Sequence, residues 1–288
     1  MKKTVFGSNS CLTVHGPNAS FGNHMLHMMF TLNLSVKRNL NLKIATNTNL
    51  EDIFDLSEYR DVMPPDAFCF FAEAYGGDYN EYSAKDLSNI FVSHRLLYDK
   101  NLELPNNFWV DGWFHNSALF PSYSDFCKLK VKPELIKEIN SKYGHIFKND
   151  HISLHYRGTD FVNCGYGWGD VRLSAEYYIE SLNFIIKNKP YITNVNVFTE
   201  DKTFYETVEK FKPLFSSLTF TIFSDTYYAD WLCLHLSKNI ICSNSTFCLA
   251  AAAYNKDVVI QPKKFLLRER ETNISVPTNP FFANSIII

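Results

Sequence analysis

Asn239-Ile-Ile-Cys-Ser-Asn-Ser-Thr-Phe-Cys-Leu-Ala-Ala-Ala-Ala-Tyr254 is the stretch from which the fold can be read. Its first four residues form a short apolar, β-branched run. Ser243 to Thr246 are small and polar, and Ser245 to Tyr254 is an alanine-rich segment with strong helical propensity. Asp257-Val-Val-Ile260 follows as a further strand. The same unit repeats upstream. Thr226 to Leu236 is apolar almost all round and reads as a buried helix, preceded by the strand Leu218-Thr-Phe-Thr-Ile-Phe223. Lys202 to Phe211 is a short helix closed by Pro213, after the strand Asn194-Val-Asn-Val-Phe198. Leu173 to Lys187 is helical, with Ser174 as N-cap and Pro190 beyond its end, after the alternating strand His151-Ile-Ser-Leu-His-Tyr156. Strands and helices alternating at this pitch imply an α/β fold with a parallel, doubly wound sheet. Ligands of such sheets bind outside the carboxyl ends of the strands.

The first half is less regular. Val5 to Val14 holds a strand, His15 to Asn23 a turn-rich loop, His24 to Arg38 a helix and Leu40 to Ala45 a second strand. Phe108-Trp-Val-Asp-Gly-Trp-Phe114 reads as another buried strand. Lys128 to Lys148 carries six lysines and reads as a solvated helix with a boundary just after it. The expected organisation is an α/β domain over 1–148, a nucleotide-binding Rossmann-like domain over 149–270, and a tail over 271–288 that packs back on the first domain.

Composition narrows the function classes. With 28 Lys+Arg against 30 Asp+Glu, the net charge of −2 carries no footprint for nucleic acid or an anionic membrane. No apolar run reaches the ~18 residues of a spanning helix, and no signal-peptide h-region follows Lys2-Lys3. Seven scattered cysteines without a C-x-x-C argue against a disulfide scaffold or a zinc knuckle. A cytoplasmic protein without a transmembrane segment is the expectation. The 25 Phe and 16 Tyr fit a Phe-rich core better than sugar-stacking platforms. Walker, dinucleotide, zincin and esterase signatures are absent, as is a D-x-D pair for a metal-held sugar nucleotide.

Four segments carry chemistry. In Leu154-His155-Tyr156-Arg157-Gly158-Thr159-Asp160, Arg157 falls at the end of a strand, where a guanidinium can grip a phosphate bidentately and His155 can donate to a phosphate or a base. A surface ion pair between Arg157 and Asp160 would use the same residues. Ser243, Asn244, Ser245 and Thr246 lie where a helix begins, with free N–H groups and a favourable dipole for an anion, or for simple N-capping. Glu200 and Asp201 end the next strand and can accept from a ribose or a guanine edge, or cap a helix. Gly22, Asn23 and His24 head the first helix and suit a loop lining a cleft between domains. His24 and His27 lack a third ligand at metal spacing.

In this order and spacing, the segments resemble the inverting α-1,2-fucosyltransferase-like enzymes of glycosyltransferase family 11. His155-Tyr-Arg157-Gly-Thr-Asp160 is similar to that group's H-x-R-R-x-D, and Ile240 to Phe247 to its I-I-A-N-S-[ST]-[FY]. Phe21-Gly22-Asn23-His24-Met25 resembles its G-L-G-N-Q-[ML], Asp111 to Phe114 its G-[YF]-[FW]-Q, and Phe198 to Asp201 its F-S-[DE]-D. A group that modifies protein O-linked sites also opens with F-G-N-Q. The resemblance implies a GT-B fold of two facing Rossmann-like domains, a GDP-sugar donor and metal-independent inverting transfer to a glycan acceptor. Donor-binding roles would fall to His155, Arg157, Glu200, Asp201, Ser243, Asn244, Ser245, Thr246, Gly22 and Asn23, and catalytic roles to Arg157, Asp160 and His24. No cofactor or metal is expected. Gly158 stands where the family has its second arginine, so part of the leaving-group charge stabilisation would be missing or would come from Arg172, Arg268 or Arg270. The alternatives are a transferase for another GDP-hexose and a non-catalytic GDP-sugar-binding protein.

Overall fold

The computed structural model describes residues 2–7, 21–44, 48–71, 96–111, 119–158, 161, 170, 172–201, 204–255, 257–262 and 285–288. The chain divides into two units, Met1–Lys132 and Pro133–Ile288.

In the first unit, β1 (Thr4–Phe6), β2 (Asn41–Lys43), β4 (Phe68–Phe71) and β5 (Asn107–Asp111) form a parallel sheet in the order β2-β1-β5-β4. The strands β3 (Phe54–Asp55) and β6 (Lys130–Val131) pair antiparallel beside a single helical turn, α2 (Tyr123–Phe126). Helix α1 (Phe21–Lys37) connects β1 to β2 and is buried over most of its length. Two of its buried polar residues are satisfied inside: Thr31 Oγ1 donates to the His27 carbonyl at 3.0 Å and Asn33 Nδ2 to the Leu119 carbonyl at 2.9 Å. The helix stops at Asn39, whose φ of 52° is the left-handed geometry that asparagine tolerates after a last turn. Arg38 then ties that end to the Leu96, Asp99 and Leu102 carbonyls, each at 2.8 Å.

The second unit starts earlier than its sequence suggests. Helix α3 (Pro133–Tyr143) was expected in the first domain, yet it falls in the second unit. Pro133 occupies its first position, where a missing N–H costs nothing. Lys142 Nζ donates to Asp225 Oδ2 at 2.5 Å, and Tyr143 Oη donates to the same oxygen. Those links, and packing on a later helix, bind α3 to the second sheet.

That sheet comprises β7 (Ile152–His155), β8 (Asn194–Phe198), β9 (Thr219–Phe223), β10 (Asn239–Ile241), β11 (Val258–Gln261) and β12 (Ser285–Ile287). Helices α4 (Ala175–Asn188), α5 (Phe204–Phe211), α6 (Tyr227–Leu236) and α7 (Thr246–Ala252) connect them. The order is β9-β8-β7-β10-β11-β12, parallel throughout. Numbered from β7, this is 3-2-1-4-5-6, the doubly wound order whose direction reverses between its first and fourth strands. Central strands β7 and β10 are buried at every position, as strands covered on both faces must be. Ile152, Leu154, Val195 and Val197 pack with Tyr178, Leu182 and Ile185 of α4. The edge strand β9 carries only exposed and half-buried residues.

The strand and helix alternation over 151–260 stands as expected. Residues 285–288 do not join the first unit: β12 lies parallel to β11 and extends the second sheet, because Ser285, Ile286 and Ile287 complete its outer ladder. No helix among the described residues is long and apolar enough to cross a membrane.

Candidate functional site

The reversal of strand order brings together segments far apart in the chain. At the end of β7 and just past β10, His155 and Ser243 share a hydrogen bond of 2.6 Å between Nδ1 and Oγ. The imidazole stacks on Phe247, with centroids 5.3 Å apart and planes at 27°. Ser243, Asn244, Ser245 and Thr246 are all buried. Ser245 turns the chain into α7: its N–H donates to the Ser243 carbonyl at 2.8 Å and its Oγ accepts from the Phe247 N–H at 3.3 Å. Thus Ser245 is the cap, and Ser243 faces His155.

Arg157 follows β7 by two residues and is half-buried, its guanidinium 5.6 Å from the Phe161 ring centroid. Gly158 is buried, and a Cβ built on it would land on the Asp201 carboxylate and 2.8 Å from Tyr156 Cε1. Any side chain at 158 would therefore have to displace the Asp201 carboxylate and crowd the Tyr156 ring. Of the two carboxylates that follow β8, Glu200 is exposed and Asp201 buried. Arg172 is engaged by its neighbour: Nε lies 3.0 Å from Asp170 Oδ1 and Nη2 2.6 Å from Oδ2. Asp160, Arg268 and Arg270 lie outside the described residues.

Three further residues belong to this neighbourhood and were not singled out in the sequence. Cys242 and Cys248 are fully buried and hydrogen-bond to each other, and Cys248 also bonds His155. Burial pushes both thiols up. At Cys248 the bonds from Cys242 and His155 outweigh burial, so it is the more acidic of the pair. Asp230, in the first turn of α6, is the third. Burial, with the charges of Asp225 and Glu200, raises its carboxyl to about 7. A carboxylate inside an otherwise apolar helix was the signal that could have found it.

Gly22, Asn23 and His24 belong to the first unit, at the head of α1. His24 Nδ1 is 2.6 Å from Asn49 Oδ1 and 3.3 Å from Thr48 Oγ1. Burial lowers its pKa, so at neutral pH it is an uncharged imidazole that donates from Nδ1 to Asn49 and keeps its lone pair on Nε2. Asn23 Oδ1 is buried with no hydrogen-bond partner among the described residues. His27 Nε2 lies 2.5 Å from the Val110 carbonyl, which commits it to the core rather than to a metal shared with His24.

His151 and His155 flank the same strand yet serve opposite ends. His151 Nδ1 meets the Asn149 carbonyl at 3.0 Å and Nε2 meets Ser237 Oγ at 3.4 Å, at the entry edge of the sheet. Ser237 Oγ continues to Ser153 Oγ at 2.7 Å. That chain satisfies buried polar groups away from the ligand edge.

Neither a protein-family model nor a curated protein sequence matches the chain. Solved structures do. NodZ alpha-1,6-fucosyltransferase co-crystallised with GDP superposes with a TM-score of 0.52 at 12% identity, over 88% of this chain and 92% of that one. Fucosyltransferase NodZ from Bradyrhizobium gives 0.51 at 14%, over 88% and 93%. A variant of FUT1 from Arabidopsis thaliana in complex with GDP gives 0.51 at 10%, over 87% and 68%. At such identities the likeness is one of architecture: the chain has the α/β, GT-B type of fold found in these fucosyltransferases.

Proposed function

We propose that the chain is an inverting glycosyltransferase that moves fucose from GDP-fucose to a hydroxyl of a glycan acceptor, without a metal. The observation that carries this reading is the junction between β7 and β10. There Arg157 and the Ser243–Thr246 turn leave adjacent strands of a 3-2-1-4-5-6 sheet and are joined by the His155–Ser243 bond of 2.6 Å. This is the place in such a sheet where nucleotides bind.

In the proposed reaction the acceptor oxygen attacks the anomeric carbon as the bond to the diphosphate breaks, through an oxocarbenium-like state. The leaving diphosphate gains charge, which preorganised donors must meet. Arg157 supplies the guanidinium, and Ser243 with the N–H groups of the turn supplies hydrogen bonds. His155, held by Ser243 and by its stack on Phe247, faces the base or a phosphate. Glu200, Asp201 and Asp230 stand at the same end of the sheet as acceptors for nucleoside hydroxyl or amino groups. The uncharged imidazole of His24, with its lone pair on Nε2, suits the general base; Asp160 is the other candidate.

The likeness to family 11 argues for an α-1,2 linkage to a galactoside, whereas NodZ is described as an α-1,6 enzyme. Product analysis separates the two. The decisive experiment is a thermal-shift series with UDP, GDP, ADP and CMP, with and without EDTA. It is followed by GDP-fucose with a panel of galactosides and chitooligosaccharides, read by GDP release and product mass. Stabilisation by GDP that survives EDTA, with fucosylated product, supports the proposal. A shift that needs UDP and a divalent cation overturns it. GDP binding without turnover on any acceptor points to a binding protein, and turnover with another GDP-hexose to a different donor.

A further inference from the structure

Both hydrogen bonds that His24 makes among the described residues fall on Nδ1, and both partners come from one turn. Asn49 opens the 3-10 turn Asn49–Asp52 and places its Oδ1 2.6 Å from that nitrogen. Thr48 caps the turn, its Oγ1 accepting from the Leu50 N–H at 3.4 Å and lying 3.3 Å from His24 Nδ1. The turn packs on α1, and its Leu50 is fully buried. An amide oxygen can only accept, so the short bond places the proton on Nδ1 and leaves Nε2 as the basic nitrogen.

We propose that Asn49 is a positioning residue of the transfer reaction. By accepting from Nδ1 it fixes the tautomer and the ring orientation of His24, so that Nε2 takes the proton of the acceptor hydroxyl. The inference rests on the reading of His24 as general base given above. In the step, the acceptor O–H proton passes to Nε2 as its oxygen bonds the anomeric carbon, and the electron pair of the breaking C–O bond leaves with the diphosphate. The imidazolium so formed returns its Nε2 proton to solvent, while the Nδ1 proton stays bonded to Asn49 throughout.

A neutral amide suits this task better than a carboxylate. Burial lowers the His24 pKa and the Asn49 bond acts against it, so the imidazole is uncharged at neutral pH without losing its basicity. A carboxylate at the same distance would stabilise the imidazolium and hold the ring protonated. The charged groups on the elements packed against α1 are Glu51 and Asp52 of the turn, Asp125 of α2 and Lys43 of β2. Glu51 is paired with Arg60 and Asp125 with Lys128, and no charged group contributes to the His24 shift.

The test uses isotopically labelled histidine, assigns the His24 ring by its loss in His24→Ala, and titrates it by NMR in the wild type and Asn49→Asp. That variant keeps the shape of the side chain and adds a charge. The His24 pKa is expected to rise by about one pH unit or more in Asn49→Asp. The acid limb of kcat, measured with GDP-fucose and the galactoside or chitooligosaccharide that gives product, should rise with it. Asn49→Ala is expected to lower kcat about tenfold while GDP affinity, by calorimetry, stays within about twofold. An unmoved His24 pKa or acid limb in Asn49→Asp overturns this inference, as does an equal loss of kcat and GDP affinity in Asn49→Ala. Loss of transfer in His24→Ala beside an unmoved limb in Asn49→Asp keeps the base reading and removes only the positioning role. Full kcat in His24→Ala fails the base reading and this inference with it, and leaves the donor reading intact. Absence of product with every acceptor fails the proposed function and this inference together. Asn49→Asp carries the test even where Asn49→Ala unfolds.

Discussion

Asp230→Asn makes the pH dependence of stability a direct reading of a buried carboxyl at the candidate site. Asp230 is 7% exposed, and its carboxyl is raised from 3.8 to about 7, first by burial and then by the charges of Asp225 and Glu200. The folded protein therefore holds a proton that the unfolded chain has released. The stabilisation is present in full below the unfolded pKa of 3.8 and is lost as pH rises through about 7. About three pKa units at 1.36 kcal/mol each set the scale at about 4 kcal/mol. Asparagine has the same shape and does not ionise, so the variant lacks this slope. His24, His151 and His235 have pKa values lowered by burial and give the opposite slope on the acid side, so the difference between the two proteins is the useful quantity. Urea unfolding of both from pH 4 to pH 8 should show the wild type losing about 4 kcal/mol relative to Asp230→Asn. Parallel curves would refute the assignment of a buried, protonated Asp230.

Arg157→Ala should weaken GDP binding by about tenfold or more, and Arg157→Lys should recover only part of it, because a lysine restores the charge without the fork; calorimetry checks both. Ser243→Ala removes the partner of a buried imidazole, bonded at 2.6 Å, and should cost about 1–3 kcal/mol in urea unfolding. The adjacent tyrosines of α4 should behave differently. Tyr177 Oη donates to the Cys242 carbonyl at 2.6 Å, and Tyr177→Phe should cost about 1 kcal/mol. Tyr178 Oη is buried with no hydrogen-bond partner among the described residues, so Tyr178→Phe should be neutral or stabilising. A larger loss at Tyr178 than at Tyr177 would contradict the hydrogen-bond assignment.

Long, strongly periodic segments were the legible part of the fold. Tyr177, Tyr178, Leu182 and Ile185 mark the buried face of α4, and those spacings stand in the chain itself. A short strand without a helix beside it in the sequence was not legible. The strand β12 has three residues, and nothing local distinguishes them from a tail until β11 offers its open edge. The lysine-rich segment around α3 read as a solvated helix ending a domain, since an ion pair between Lys142 and Asp225, 83 residues apart, leaves no local mark. At the candidate site, Arg157 and Ser243–Thr246 were readable because strand ends and helix starts are local features. The bonding of Cys248 and the closeness of Asp201 to Gly158 were not, because each depends on which strand lies beside which; Asp230 left a local mark as the one carboxylate of an apolar helix, but its burial did not.

The sequence by itself determined that the second half alternates strand and helix, and that its polar residues cluster where strands give way to helices. Periodicity and capping are properties of neighbouring residues, so no tertiary information was needed. Tertiary structure alone decided the order of the strands. That order sets His155 against Ser243 across 88 residues and presses the Asp201 carboxylate onto Gly158. It also seals Asp230 from water, raising its carboxyl to about 7. Charge, burial and excluded volume act through space, and only folding brings those partners into range.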